Sequence, residues 1–166
     1  SGRRTLRQVS LDALLTDGAL PVAAGAFAGT TPGRFFTEPD GQHVATMRAA
    51  TGGALEAAWD DLSEETRRIV LYGAGDEVFD VVWSYARGAR KGEHRCEGRW
   101  EGLLALTLAE AEKRAARKDA EDWAAPLVEA PCAACGGTGL AAELAGAAVA
   151  GLTYAEAQRA TLVQLR

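Results

Sequence analysis

The chain has 166 residues and a mass of 17.4 kDa, with 18 Lys and Arg against 23 Asp and Glu, and therefore a net charge of -5. At 48% apolar and 25% charged residues it has the composition of a folded globular chain, one domain or two small subdomains, and not of a disordered one. The acidic balance excludes a domain that grips nucleic acid through a generally basic surface, while leaving room for a local basic patch.

Alanine and glycine number 35 and 19, so the core is expected to be thin and to lean on Leu, Val, Trp, Tyr and Phe. No apolar stretch approaches the length of a membrane span, and nothing at the N-terminus resembles a signal peptide. Ser1-Gly2 reads as the remnant of a cleaved tag, and the chain as a piece of something longer. Cys96, Cys132 and Cys135 form an odd set with one tight pair, which argues for reducing conditions and a cytoplasmic protein.

In chain order, Leu11, Leu14 and Leu15 recur at helical spacing, and Pro21 opens a short piece ending near Gly29. Thr30-Thr31-Pro32-Gly33 reads as a loop, and Val44, Met47 and Arg48 as a short helix stopped by Gly52-Gly53. Leu55, Ala58 and Trp59 make a further helical stripe. Ser63 is a good N-cap for a helix with Glu64 and Glu65 in its first turn, Ile69, Val70 and Tyr72 buried, and Gly73 at its end.

From Val78 to Tyr85 the spacing becomes that of a strand; Arg87 to Gly92 is a basic, glycine-bounded turn, and His94 to Trp100 returns as a second strand. Thr107 with Glu110 suggests a capping box for a helix bearing Leu108, Ala111, Ala115 and Ala116 on its apolar side. Trp123, Leu127 and Val128 predict the next helix, with Pro126 arguing against it. Ala147 to Ala150 reads as a brief strand, and Thr153 with Glu156 as a capping box for a closing helix with Leu162 and Leu165. The expected fold is mainly α with one short β-hairpin.

Two features carry chemistry. Cys132 and Cys135, followed by Gly136, Gly137 and Gly139, form half of a zinc knuckle, in which two intervening residues let both thiolates face one tetrahedral ion. The missing ligands come from a second C-x2-C outside the chain, or from His94 and Cys96 on alternate strand positions, or the pair holds no metal. Arg87, Arg90, Lys91, Arg95 and Arg99, near Trp83 and Trp100, are candidates for a phosphate backbone; the plainer reading is a solvated hairpin tip. There is no phosphate loop, Gly73-Ala74-Gly75 reads as a turn, and His43 reads as a surface residue. Two histidines support no Ser/His/Asp set, and the acidic pairs Asp60-Asp61 and Glu64-Glu65 read as helix-end electrostatics. No catalytic residue is expected. On residues alone, this is a noncatalytic, metal-stapled piece of a larger machine.

Several segments resemble one family. Cys132-Ala-Ala-Cys135-Gly-Gly-Thr-Gly-Leu140 looks like the C-P-x-C-x-G-x-R-L element of the excinuclease A subunit (UvrA) family of nucleotide excision repair. Asp61 to Gly73 with Gly75 resembles that family's W-x-x-L-P-E-E-x-R-x-x-L-L-Y-G-S-G segment, and Trp100-Glu101-Gly102-Leu103-Leu104 its F-E-G-V-I. Asp17-Gly18-Ala19 matches the approach to the same region, and Leu152-Thr153 with Ala155-Glu156-Ala157 resembles L-T-x-x-S-V-x-E-A. Ala133 stands where the family has proline, and Gly139 where it has a basic residue.

The resemblance implies a helical ABC-ATPase insertion (signature) subdomain of the first ATP-binding half, spanning residues 1–166. Its parts would be an N-terminal helical region (1–75), a hairpin (76–102), a helix pair (103–130) and a knuckle with a C-terminal helix (131–166). It further implies structural zinc on Cys132 and Cys135 completed by a second pair elsewhere, which makes Cys96 no ligand. ATP and Mg would act only through regions outside the chain. The implied partners are the rest of a UvrA-like polypeptide, double-stranded DNA and a UvrB-like subunit, with no membrane. The alanine-rich drift also fits a UvrA-like antibiotic self-resistance protein, and a stand-alone protein-interaction module remains the alternative of another class.

Overall fold

Caps, prolines and glycines cut this chain into short elements. The computed structural model describes residues 5–87, 90–132, 135–137, 139, 148–149, 151–153 and 156, with the backbone alone at 85–87, 90 and 149. Contacts divide the chain into a unit of residues 9–127 and a unit formed by residues 1–8 with 128–166.

The larger unit opens with α1 (Leu11–Leu14), whose cap Ser10 accepts the Ala13 N–H. The Thr30–Gly33 run is no loop. Thr30 Oγ1 accepts the Gly33 N–H at 3.1 Å and Pro32 lies in the first turn, so these residues start α2 (Thr31–Phe36). Then comes α3 (Gln42–Ala50), closed at Gly53 with φ 85° as its glycines predict.

The stripe of Leu55, Ala58 and Trp59 forms two 3-10 turns, Ala54–Glu56 and Trp59–Asp61, instead of one helix. The cause is tertiary: Ala58 pairs with Pro21 and the Trp59 N–H donates to Leu20 O at 2.9 Å, which holds the backbone extended between the turns. In α4 (Glu64–Tyr72), Ser63 accepts the Thr66 N–H as expected, and Gly73 ends the helix with its N–H on Ile69 O. Val70 and Leu71 are buried but Tyr72 is 67% exposed, contrary to expectation. A helix turns about 100° per residue, so a stripe centred on Val70 and Leu71 carries Tyr72 past the core edge.

Strands β2 (Phe79–Arg87) and β3 (Arg90–Gly98) form the expected hairpin, but the ladder runs on through Tyr85–Gly92 to Arg87–Arg90, so Arg87 and Arg90–Gly92 are strand and not turn, and β3 ends at Gly98 before Trp100. Helix α5 (Leu103–Lys113) begins four residues before the capping box read at Thr107. Leu103, Thr107 and Ala111 are its buried positions, spaced by four, and Ala115 and Ala116 are exposed. Thr107 is therefore a mid-helix residue, and its buried Oγ1 has no hydrogen-bond partner among the described atoms.

After α6 (Ala120–Ala124) the chain turns extended as β4 (Leu127–Pro131), not helical as Leu127 and Val128 suggest. Pro126 supplies no N–H to a continuing helix, and the helical backbone stops at Ala125, with φ -51° and ψ -41°. The Pro126 carbonyl accepts the Ser10 N–H at 2.9 Å. Three tryptophans, Trp59, Trp100 and Trp123, lie in the core of this unit; Phe27 packs edge-on against Trp59 at 5.0 Å. Trp100 Nε1–H donates to Ile69 O at 2.8 Å, which satisfies its one polar atom. His43 is no surface residue: it is half-buried against Phe35 and Phe36, and burial lowers its pKa, partly offset by Glu110.

In the smaller unit β1 (Thr5–Val9) pairs with β4, and β5 (Ala148–Val149) with β6 (Leu152–Thr153) in a second hairpin. Thr153 and Glu156 form the expected capping box, with the Thr153 N–H on Glu156 Oε2 at 2.8 Å and the Glu156 N–H on Thr153 Oγ1 at 3.3 Å. Leu162 and Leu165 of the closing helix lie outside the described residues. Among the described residues no helix is long and apolar enough to cross a membrane.

Candidate nucleic-acid interface

Helix α3 packs along β2, so the hairpin has a covered root. Val81 is buried at its register partner Cys96, and Gln42 Nε2 lies 3.9 Å from Cys96 Sγ. Gly98 leaves the space that this packing needs: a Cβ there would meet Val81 Cγ2 at 3.2 Å and Thr46 Cγ2 at 3.5 Å.

Cross-strand partners share a face and successive pairs alternate faces. One face therefore holds the pairs Phe79–Gly98, Val81–Cys96, Trp83–His94, Tyr85–Gly92 and Arg87–Arg90. The other holds Asp80–Glu97, Val82–Arg95, Ser84–Glu93 and Ala86–Lys91. All three carboxylates of the two strands, Asp80, Glu93 and Glu97, are on this second face. The first carries none.

The five basic residues singled out from sequence are thus not one patch. Arg87 and Arg90 are register partners at the end of the hairpin. Lys91 and Arg95 lie on the opposite face, exposed, with Arg95 3.7 Å from Glu93. Arg99 follows β3 and pairs with Asp76 at 3.4 Å. Both of these ion pairs are exposed, so each contributes little to stability and leaves its arginine able to exchange partners.

Trp83 and His94 were not paired by sequence reasoning. Their rings stack at 5.0 Å with an interplanar angle of 28°. The signal was the hairpin register, which a six-residue glycine-bounded turn leaves undetermined.

At the cysteine motif, Cys132 is buried and Cys135 half-buried. The Cys135 N–H donates to Cys132 O at 3.1 Å, and the Gly139 N–H to Cys135 Sγ at 3.3 Å. Gly136 and Gly137 have φ 55° and 83°, the left-handed turn that brings these amides round to the sulfur. Among the described residues no group of three or more His, Cys, Asp or Glu side chains is placed to hold a metal ion.

The profile of the UvrA DNA-binding domain family matches residues 11–122. The UvrABC system protein A of Thermus thermophilus is 38% identical over 109 residues, 63% of this chain and 11% of that protein. The same-named protein of Xylella fastidiosa (strain 9a5c) is 36% identical over 87 residues, 52% of this chain and 9% of that protein. The crystal structure of UvrA2 from Deinococcus radiodurans superposes with a TM-score of 0.50 at 18% identity, covering 90% of this chain and 18% of that one. The last likeness concerns the fold alone. This chain spans about a tenth of the length of the curated relatives it matches. The matched region is noncatalytic, in keeping with a sequence that has no phosphate-loop motif. The family anticipated from the segments at Asp61–Gly75 and Trp100–Leu104 is the one found: the chain belongs to the UvrA DNA-binding domain family.

Proposed function

We propose that this chain is a noncatalytic subdomain of a longer UvrA-like ABC ATPase, and that it contributes to recognising DNA damage in nucleotide excision repair. The observation that carries the reading is the charge segregation of the β2–β3 hairpin. In a chain of net charge -5, the face of the Arg87–Arg90 pair holds no carboxylate. A phosphate backbone approaching that face meets cations without a compensating repulsion. Lys91, next to that pair on the other face, adds to the attraction at the tip. Such contacts hold and orient duplex DNA but carry no base information. The test is fluorescence anisotropy of a labelled duplex titrated with the chain at low and at raised salt. Binding that weakens steeply with salt supports the reading; no binding at low salt contradicts it.

Within the longer protein, ATP and Mg would be handled by regions outside this chain, and a UvrB-like subunit is the protein partner. Zinc fits the cysteine turn in part. Cys132 and Cys135 supply two donors, and an amide donating to Cys135 Sγ suits a sulfur that carries thiolate charge. Two further thiolates would complete a structural site, which would staple the turn and carry no reactive water.

A further inference from the structure

We infer that the Trp83–His94 pair is a stacking site for a nucleobase displaced from its duplex, so that the hairpin holds DNA with an unpaired base more tightly than intact duplex. This rests on the DNA-binding reading above and names the form of DNA the site prefers.

The chain has four tryptophans, and three are core residues, exposed by 3%, 1% and 3% at Trp59, Trp100 and Trp123. Trp83 is different. It is only partly buried, and its partner His94 is exposed. The helix that covers this face reaches the pairs at the root, where Val81 is buried and Gly98 faces Thr46. The Trp83–His94 pair is the next one toward the tip.

The ligand chemistry follows from what surrounds the pair. Two near-parallel rings present an aromatic platform, and every base has a π-face that such a platform can hold whatever its identity. On the same face, the Arg87–Arg90 register pair lies four residues farther along β2, roughly 13 Å at the rise of an antiparallel strand. That distance spans about four phosphates of one B-form strand. By register, one face thus carries the Trp83–His94 stack and two arginine positions at the spacing of a short run of nucleotides, and Asp80, Glu93 and Glu97 are all on the other. In an intact duplex the base faces are covered by their neighbours, so only the arginine end of that face is used. A bulged or unpaired base adds the stacking contact.

The experiment uses the whole chain and two DNAs: a short intact duplex, and the same duplex with a single unpaired thymine. Anisotropy gives affinity, and tryptophan fluorescence reports contact, because the other three indoles are buried. The bulged duplex should bind about tenfold more tightly or better, the range expected for one stacked base, and should quench the fluorescence. That ratio should persist as salt weakens both complexes. Trp83→Leu should abolish the preference for the bulged duplex, Trp83→Phe should keep most of it, and His94→Ala should reduce it. Circular dichroism identifies a variant that fails to fold; if Trp83→Leu does, Trp83→Phe and His94→Ala decide the matter. Equal affinities for the two DNAs in the parent chain, or a preference that survives in the folded Trp83→Leu or is untouched by His94→Ala, would overturn the inference while leaving DNA binding intact. Failure to bind either DNA would overturn both.

Discussion

Gly73 and Gly102 lie backbone against backbone, at the two ends of the segment that carries the hairpin. A Cβ on Gly102 would sit 2.6 Å from Gly73 N, and one on Gly73 would sit 2.6 Å from Trp100 O. Both have φ near 90°, and the Ala74 N–H donates to Trp100 O at 3.0 Å. The end of α4 and the start of α5 are clamped here, which fixes the feet of β2 and β3. Gly73→Ala or Gly102→Ala should each destabilise the chain by more than about 2 kcal/mol, because left-handed strain adds to a clash with backbone that cannot move aside. Gly75→Ala, with φ 70° and nothing within 4 Å of its Cβ, should cost about 1 kcal/mol. Urea unfolding of the three variants checks the difference; equal losses would remove the clamp.

Thr107 gives the opposite sign. Its hydroxyl is buried in α5 without a partner among the described atoms, while Thr46 and Thr51 donate to carbonyls four residues back at 2.9 and 2.8 Å. Thr107→Val keeps the shape and removes the unsatisfied group. It should stabilise the chain by about 1 kcal/mol in thermal or urea melts, whereas a loss of that size would mean the hydroxyl is bonded.

His43 sets a pH dependence. Burial holds its folded-state pKa below the ordinary 6.5, so the unfolded chain takes up a proton first as the pH falls. Its contribution to stability is complete above pH 6.5 and is lost between there and its lowered folded pKa. Glu65 and Glu110, drawn below 4.5 by their hydrogen bonds to Arg68 and Arg114, lose theirs only below that value. The parent chain should be less stable at pH 5.5 than at pH 7.5, and His43→Gln should flatten that interval. An unchanged slope in the variant would assign it elsewhere.

Zinc content separates the two routes to a complete metal site. Cys96→Ala should leave any bound zinc unchanged, because Cys96 sits beside Val81 and Gln42 in the hairpin root. Cys132→Ser and Cys135→Ser should each lower it. Stoichiometric zinc that disappears in Cys96→Ala on metal analysis would favour closure by the hairpin.

What could be read from the sequence was local chemistry. Ser63 and Gly73 bracket α4, Gly53 ends α3, and Thr153 with Glu156 close a capping box, because each rests on hydrogen bonds within one turn. The positions read differently depend on distant partners. Trp59 is held by Leu20, β4 has β1 beside it, and the Thr30 turn caps a helix whose aromatic side chains meet Trp123. At the candidate interface the basic residues were visible as a cluster in sequence. Their division between two faces, and the stacking of Trp83 on His94, appear only once the register is set.

Whether the hairpin tip faces DNA is decided by the salt dependence of one double variant. Arg90→Gln with Lys91→Gln should weaken duplex binding about equally for all sequences, and should lower the slope of log K against log salt by about 1 to 2. The matched control is Arg117→Gln with Lys118→Gln, two exposed residues after α5 that change the net charge equally. It should leave that slope unaltered. An unchanged affinity and slope in the hairpin variant at low salt, or an equal loss in the control, would contradict the account.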